Sequence, residues 1–189
     1  MSHEPRPTLF AVSQKGSAAG ELNDGLAFTV GEHLAALYGS DAGLNALGVP
    51  FVLNGLHEGS VVFLIGPQSS TRRILDQLAV ARAGLQADIE QGRLLVSEHQ
   101  ATGREQLDYF QTRIGAAEQG GLDSFRLFAV MRGIRDNVSS DELGILEEGF
   151  ENEVIPNHRM IAMCAYDVRV FTGTEILAAL KQHRDRPPG

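Results

Sequence analysis

A single cysteine, Cys164, excludes an internal disulfide framework and suits a reducing compartment. Long apolar runs are missing as well. None approaches the ~20 residues that cross a bilayer, and the opening MSHEPRPTLF carries an early acid and prolines where a secretion signal carries its apolar stretch. A cytoplasmic chain with no membrane contact is expected. Basic residues are outnumbered, 16 Lys and Arg against 24 Asp and Glu, for a formal net charge of −8. That balance argues against direct nucleic-acid binding, which needs a basic face for phosphates. A local basic spot such as Arg72 and Arg73 is still open. Repeats, low-complexity tracts and long interior linkers are also missing, so the 189 residues are expected to fold around one core.

What is present is an alternation of strand-like and helix-like patterns. Residues 1–24 read as a loosely attached arm or an added edge strand, with an apolar burst over 9–12. Residues 25–184 read as the folded domain, and the charged, proline-ended 185–189 as a frayed, disordered tail. Short apolar runs at 34–38, 61–65, 93–96, 125–131 and 160–165 predict strands, several of them buried on both faces. Between them, helical spacing recurs: Ile74, Leu78, Ala81 and Leu85; Leu107, Phe110 and Ile114; Leu143, Leu146, Phe150 and Val154; Ile176, Leu177 and Leu180. Over 41–56 an apolar pattern is interrupted by Pro50, which predicts a kink or break. Strand–helix alternation predicts an α/β fold, a mostly parallel sheet with helices on both faces. Ligands of such sheets sit beyond the strand carboxyl ends, which here are the loops 66–73, 131–136 and 166–171.

The stretch Gly59-Ser-Val-Val-Phe-Leu-Ile-Gly-Pro-Gln-Ser-Ser-Thr-Arg-Arg-Ile-Leu75 runs strand, glycine, polar loop, helix, like a phosphate-binding loop. Where G-x-x-x-x-G-K-[ST] asks for glycine, lysine and a hydroxyl, the chain has Thr71, Arg72 and Arg73. A β-branched residue crowds the closest backbone approach, and an arginine in the hydroxyl position supplies no magnesium ligand. Catalysis by this loop is not expected. Ser69, Ser70 and Thr71 suit helix capping, and the same amides could meet an anion.

The preceding Gly55-Leu-His-Glu-Gly-Ser60 turn, leading into that strand and loop, resembles RecA-like ATPases of the KaiC branch. Three further stretches resemble one descendant of that branch, the methanogen/methylotroph sensory domain, MEDS. They are Gly31-Glu-His-Leu-Ala-Ala-Leu-Tyr38, Leu146-Glu-Glu-Gly-Phe-Glu151, and Cys164-Ala-Tyr-Asp167 followed by Phe171, Leu180 and His183. The likeness spans about residues 28–183. It implies a three-layer RecA/KaiC-like core with a degenerate phosphate loop and a sensing or signalling role. Val130-Met-Arg-Gly-Ile-Arg135 departs from the pattern, lacking the acid and tryptophan that members place there. Members are often fused to a DNA-binding module or a kinase-like output domain. Neither is visible here, so the signal is expected to leave through a separate protein, a kinase or a transcriptional regulator, with a homo-oligomer also open.

Other chemistry is sparse. The six histidines show no H-x-x-x-H spacing and no cysteine pair accompanies them, so neither metal nor cofactor is expected. No G-x-S-x-G elbow or dinucleotide glycine fingerprint occurs. His33, at the start of a strand, reads as a core or rim histidine or a ligand contact. Cys164 reads as a small buried hydrophobe. Tyr166 and Asp167 fall where the last strand ends and read as a turn or a ligand contact. Acids along 141–153 read as a solvated face or as a docking surface through Glu147, Glu148 and Glu151. The expected function is a non-enzymatic sensory domain taking a small-molecule or anionic ligand, or a partner protein, at the strand carboxyl ends. Its candidate contacts are His33, Tyr38, Gly66, Ser69, Ser70, Thr71, Arg72, Arg73, Arg132, Tyr166 and Asp167. The alternatives are a residual nucleotide-dependent enzyme and a ligand-free scaffold.

Overall fold

A computed structural model of the chain describes residues 21–22, 26–137 and 139–183. Most of the arm expected over 1–24, including its apolar burst, and the tail 185–189 lie outside the described residues. Strands β1 (Glu21–Leu22) and β2 (Leu26–Ala27) pair antiparallel with each other, apart from the main sheet. The main chain path then runs β3 (His33–Tyr38), α1 (Asp41–His57), β4 (Val61–Ile65), α2 (Gln68–Ala81), α3 (Leu85–Glu90) and β5 (Leu94–Ser97). It continues with α4 (Gly103–Gln119), β6 (Ser124–Val130), α5 (Arg132–Asn137), α6 (Ser140–Gly149), β7 (Arg159–Asp167) and α7 (Gly173–Gln182). A π turn (Phe150–Val154) and a 3₁₀ turn (Ile155–Asn157) join α6 to β7.

Five strands form one parallel sheet in the order β3-β7-β6-β4-β5. Alternation along each strand sends side chains to two separate cores. Val62, Leu64, Phe128, Val130 and Met163 pack with Phe51, Ile74 and Leu78 from α1 and α2. Phe63, Ile65, Leu127, Ala129, Cys164 and Tyr166 pack with Phe110, Ile114, Leu146 and Phe150 on the other face. Right-handed crossovers explain this division, because the chain steps one way across the sheet from β3 to β5 and back again to β7. The result is a three-layer α/β fold, consistent with a RecA-like arrangement. Fully buried side chains such as Phe63, Leu64 and Phe128 each contribute about 1.5–3 kcal/mol to it.

Two helical expectations are corrected. Pro50 does not break the chain: α1 is continuous through it. The proline removes one hydrogen bond, but Ala46, whose carbonyl loses its partner, is exposed to water. Meanwhile Leu44, Leu47, Phe51, Val52 and Leu56 clamp both halves of the helix to the sheet. The stripe from Ile74 to Leu85 is two helices rather than one, because Arg82 leaves α2 in an extended conformation. Arg82 instead pairs with the fully buried Asp88, which Arg93 also grips. The Arg82 hydrogen bond holds the Asp88 carboxyl below the usual carboxylate range, and this internal ion cluster sets the turn.

Candidate functional site

Gly66 and Pro67 alone separate β4 from α2. Pro67 occupies the N-cap, so Ser69, Ser70 and Thr71 already lie inside the helix instead of capping it. Thr71 is buried, and its hydroxyl donates back to the Pro67 and Gln68 carbonyls at 3.4 and 3.2 Å. The Gly66 N–H donates to the Ser97 carbonyl at 3.1 Å, within the sheet. The Gln68 N–H donates to Glu98 Oε1 at 3.3 Å. An acid of the chain itself thus stands where a helix N-terminus would attract an anion. Ser69 and Arg72 are exposed, whereas Arg73 pairs with Asp41.

At the carboxyl ends of β3 and β7 an ion network closes the crevice. Asp167 is fully buried and accepts from the Arg169 N–H at 3.0 Å and from Nε and Nη2 of the same side chain at 2.8 Å. Arg169 also reaches Asp41 at 3.2 Å, and Arg132 lies 3.5 Å from Asp167. Burial alone would raise the Asp167 carboxyl, but the Arg169 bonds and both guanidinium charges outweigh it and hold the group below the usual carboxylate range. Tyr38, buried beside this network, is pushed up to about 12 by burial and by the Asp167 charge. Because the folded Asp167 value is depressed, its stabilisation is complete above the unfolded carboxylate value. It is lost as pH falls through the folded value. Asp167→Asn is expected to cost about 2 kcal/mol at neutral pH. Urea titrations at pH 7 and pH 3 should show the gap between wild type and variant narrowing in acid.

The sheet face under α6 carries a second, buried cluster. His33 pairs in register with Ala162, which puts its side chain on the face that Cys164 and Tyr166 share. Its Nδ1–H donates to Glu151 Oε1 at 2.5 Å, and its Nε2 lies 3.3 Å from Cys164 Sγ and 4.0 Å from Glu147 Oε2. His183, just after α7, donates from Nδ1 to the Ala179 carbonyl at 2.6 Å, and its ring centroid is 4.1 Å from that of His33. Tyr166 stands edge-on to His183 and Phe171. Burial pushes Glu147 above the usual carboxylate range and drives the Cys164 thiol and Tyr166 phenol well up. Burial, then the neighbouring His33, pushes His183 down to about 3.

Beside this cluster lies a small cavity of about 20 Å³. Phe110, Leu127, Ala129 and Leu146 form apolar walls, with His33, Glu147 and Gln106 as polar points. Gln106 Oε1 accepts from the Gln100 N–H at 3.0 Å, while its Nε2 is buried without a hydrogen-bond partner among the described residues. His99, another lining residue, hydrogen-bonds the Val130 carbonyl at 3.1 Å, and burial lowers its pKa. The helix covering the cavity is drawn close to α4 by two glycines. A Cβ on Gly103 would stand 2.4 Å from the Glu142 carbonyl oxygen, and one on Gly149 2.3 Å from Leu107 Cδ1.

A profile of the family described as the MEthanogen/methylotroph, DcmR Sensory domain, MEDS, matches residues 32–184. The chain belongs to the MEDS family. It is also 31% identical over 155 residues to a transcriptional repressor, DcmR, of Methylorubrum extorquens. That match covers 82% of this chain and 58% of the repressor, so the chain spans somewhat more than half the length of that relative.

Within the MEDS domain the sequence-derived candidates fall in three separate places. Gly66, Ser69, Ser70, Thr71 and Arg72 belong to the β4–α2 junction. Tyr38, Arg73, Arg132 and Asp167 gather in or beside the ion network. His33 and Tyr166 join the buried cluster. The acidic face expected along 141–153 is solvated only in part. Glu148 is exposed, but Glu147 is 5% exposed and Glu151 is turned onto His33. The reason is positional: Glu147 follows Leu143 by four residues and precedes Phe150 by three, a core position on the buried stripe. Cys164, His183 and Gln106 were not among the expected contacts. No spacing rule joins residues so far apart, although the opening histidine and the closing C-x-Y-D…H of the MEDS-like stretches already contained three members of the cluster.

Proposed function

We propose that this MEDS domain senses a small, weakly polar molecule held in the cavity between the sheet and α4–α6. The cavity itself supports the reading most directly: apolar walls that a ligand would part on entering, with the buried Gln106 Nε2 left to orient it. Among the described residues neither lysine nor arginine lines it, so a triphosphate would find no cation among them. Non-enzymatic sensing is favoured over residual ATP hydrolysis for the same reason, and because the β4–α2 amides are engaged internally. Descent from a RecA/KaiC-type core remains part of this proposal, supported by the strand–glycine–helix unit over 61–81 in a parallel sheet.

Output would pass through the cover of the cavity. The π turn Phe150–Val154 carries Phe150 and Glu151, and π turns recur at functional sites because they re-aim side chains. A ligand that binds one arrangement of this cover better than another shifts the populations. The exposed Ile145 and Glu148 on α6 would present that shift to a regulatory partner. The relation to a transcriptional repressor supports a regulatory output.

Amide NMR of the full chain with benzene and short aliphatic alcohols as probes tests the site. The expected result is saturable shifts at Ile134, Leu146 and Phe150, lost in Ala129→Phe, which fills the cavity. Shifts confined to other surfaces, or persisting in Ala129→Phe, sink the reading. Calorimetry with ATP and ADP, with and without Mg²⁺, should give no heat of binding. Mg²⁺-dependent binding with turnover would restore the enzymatic alternative.

A further inference from the structure

We propose that His33, Cys164 and His183 are ligands of a divalent transition-metal ion of the zinc class, with Glu147 as the fourth donor. One donor atom from each of the first three lies within 4.8 Å of the others, and all three residues are buried. A tetrahedral ion with ~2.0–2.3 Å bonds keeps its donor atoms ~3.3–3.8 Å apart. His33 Nε2 already stands at that spacing from Cys164 Sγ, 3.3 Å, whereas Glu147 Oε2, 4.0 Å from His33 Nε2, and His183, within 4.8 Å of the other two, draw in when the ion binds.

Hydrogen bonding around the donors points the same way. A carbonyl only accepts, so His183 Nδ1 carries the proton in its bond to Ala179, and a neutral ring presents Nε2 as a bare lone pair. That Nε2 is buried with no hydrogen-bond partner among the described residues. His33 likewise gives Nδ1 to the Glu151 carboxylate and turns Nε2 inward. A metal-bound imidazole held from behind by a carboxylate or a backbone carbonyl is the usual outer support of such sites, and here both rings have it. Glu147 Oε2, also buried and without a hydrogen-bond partner among the described residues, lies 4.0 Å from His33 Nε2.

Charge balance completes the case. Binding releases the Cys164 proton, and one thiolate with one carboxylate cancels a divalent cation in an interior that tolerates no net charge. Two nitrogens, a sulfur and an oxygen suit zinc over magnesium or calcium, which take oxygen shells. Ions could enter from the adjoining cavity, whose wall includes His33, Glu147 and Cys164. The assignment stands on donor geometry and is independent of which molecule the cavity accepts.

The test is a titration of the chelator-stripped full chain with Co²⁺ alone, without oxygen. Cys164 is the chain's single cysteine, so a thiolate-to-cobalt charge-transfer band in the near ultraviolet can come from this site only. Expected are saturation at one cobalt per chain, intense visible bands of tetrahedral cobalt, and displacement of both by Zn²⁺. His183→Gln should weaken zinc at least ~100-fold, and Glu151→Gln, which removes an outer support, by ~10–100-fold. Cobalt uptake without the charge-transfer band, no uptake, or unchanged affinity in His183→Gln each overturns the proposal. Should a variant not fold, the wild-type spectrum decides alone.

Discussion

Glu58→Ala is expected to destabilise the chain by about 3 kcal/mol, a large loss for a residue that is 41% exposed. Its partner explains the size. Arg126 faces inward from β6, 1% exposed, and its Nη2 donates to Glu58 Oε2 at 2.5 Å. The guanidinium also lies 5.3 Å from the centre of the Phe51 ring. Its Nε and Nη1 are buried with no hydrogen-bond partner among the described residues. Gly55 makes the room, since a Cβ there would stand 2.7 Å from Arg126 Cδ. Among the described residues Glu58 is therefore the single carboxylate that compensates this charge inside an apolar layer, and removing it leaves the charge stranded. Arg126→Met keeps the volume and discards the charge, so it should cost less than 1 kcal/mol or stabilise. In the Arg126→Met background, Glu58→Ala should become nearly silent. Urea denaturation of the four proteins measures the cycle. Equal losses for Glu58→Ala in both backgrounds would show that Glu58 acts through something other than Arg126.

Arg126 also marks where the sequence stopped being informative. The strands were legible because each is apolar over most of its length, and a parallel sheet buried on both faces demands that pattern. Their parallel association followed from the alternation with helices. The strand order did not, since nothing in the alternation says that β7 inserts between β3 and β6. An arginine inside FRLFAVM passes unnoticed when a run is read for its average character, and so does Glu147 inside a helical stripe. Both are polar residues at core positions, and both found partners distant in sequence: Glu58 for one, His33 for the other. The candidate ligand contacts scattered for a related reason. Adjacent residues of a strand point to opposite faces, so Tyr166 entered the buried cluster while Asp167 closed the ion network. Sequence reading grouped them by proximity along the chain, whereas the pleat separates them.

Gly66→Ala should cost about 3–4 kcal/mol, combining overpacking with backbone strain. The glycine follows β4 in the stretch that resembles a phosphate loop and was among the candidate ligand contacts. Packing gives it a different role. Its φ is +154°, and an added Cβ would stand 2.7 Å from Val130 Cβ and 3.3 Å from the Val130 carbonyl oxygen. Its own N–H is tied to Ser97 on the opposite side at 3.1 Å, so the residue cannot retreat without breaking into β5. Gly59 is the internal control. It has φ +81° but open space around its Cβ position, so Gly59→Ala should cost only the left-handed penalty of about 1 kcal/mol. A second check uses Val130→Gly, which removes the opposing side chain. Its loss and that of Gly66→Ala should sum to more than the double variant shows. If Gly66→Ala is no worse than Gly59→Ala, the close approach of β4 to β6 is wrong. If the loss is large and coupled to Val130, the glycine of this loop is held by sheet packing, and its presence carries no implication of a bound phosphate.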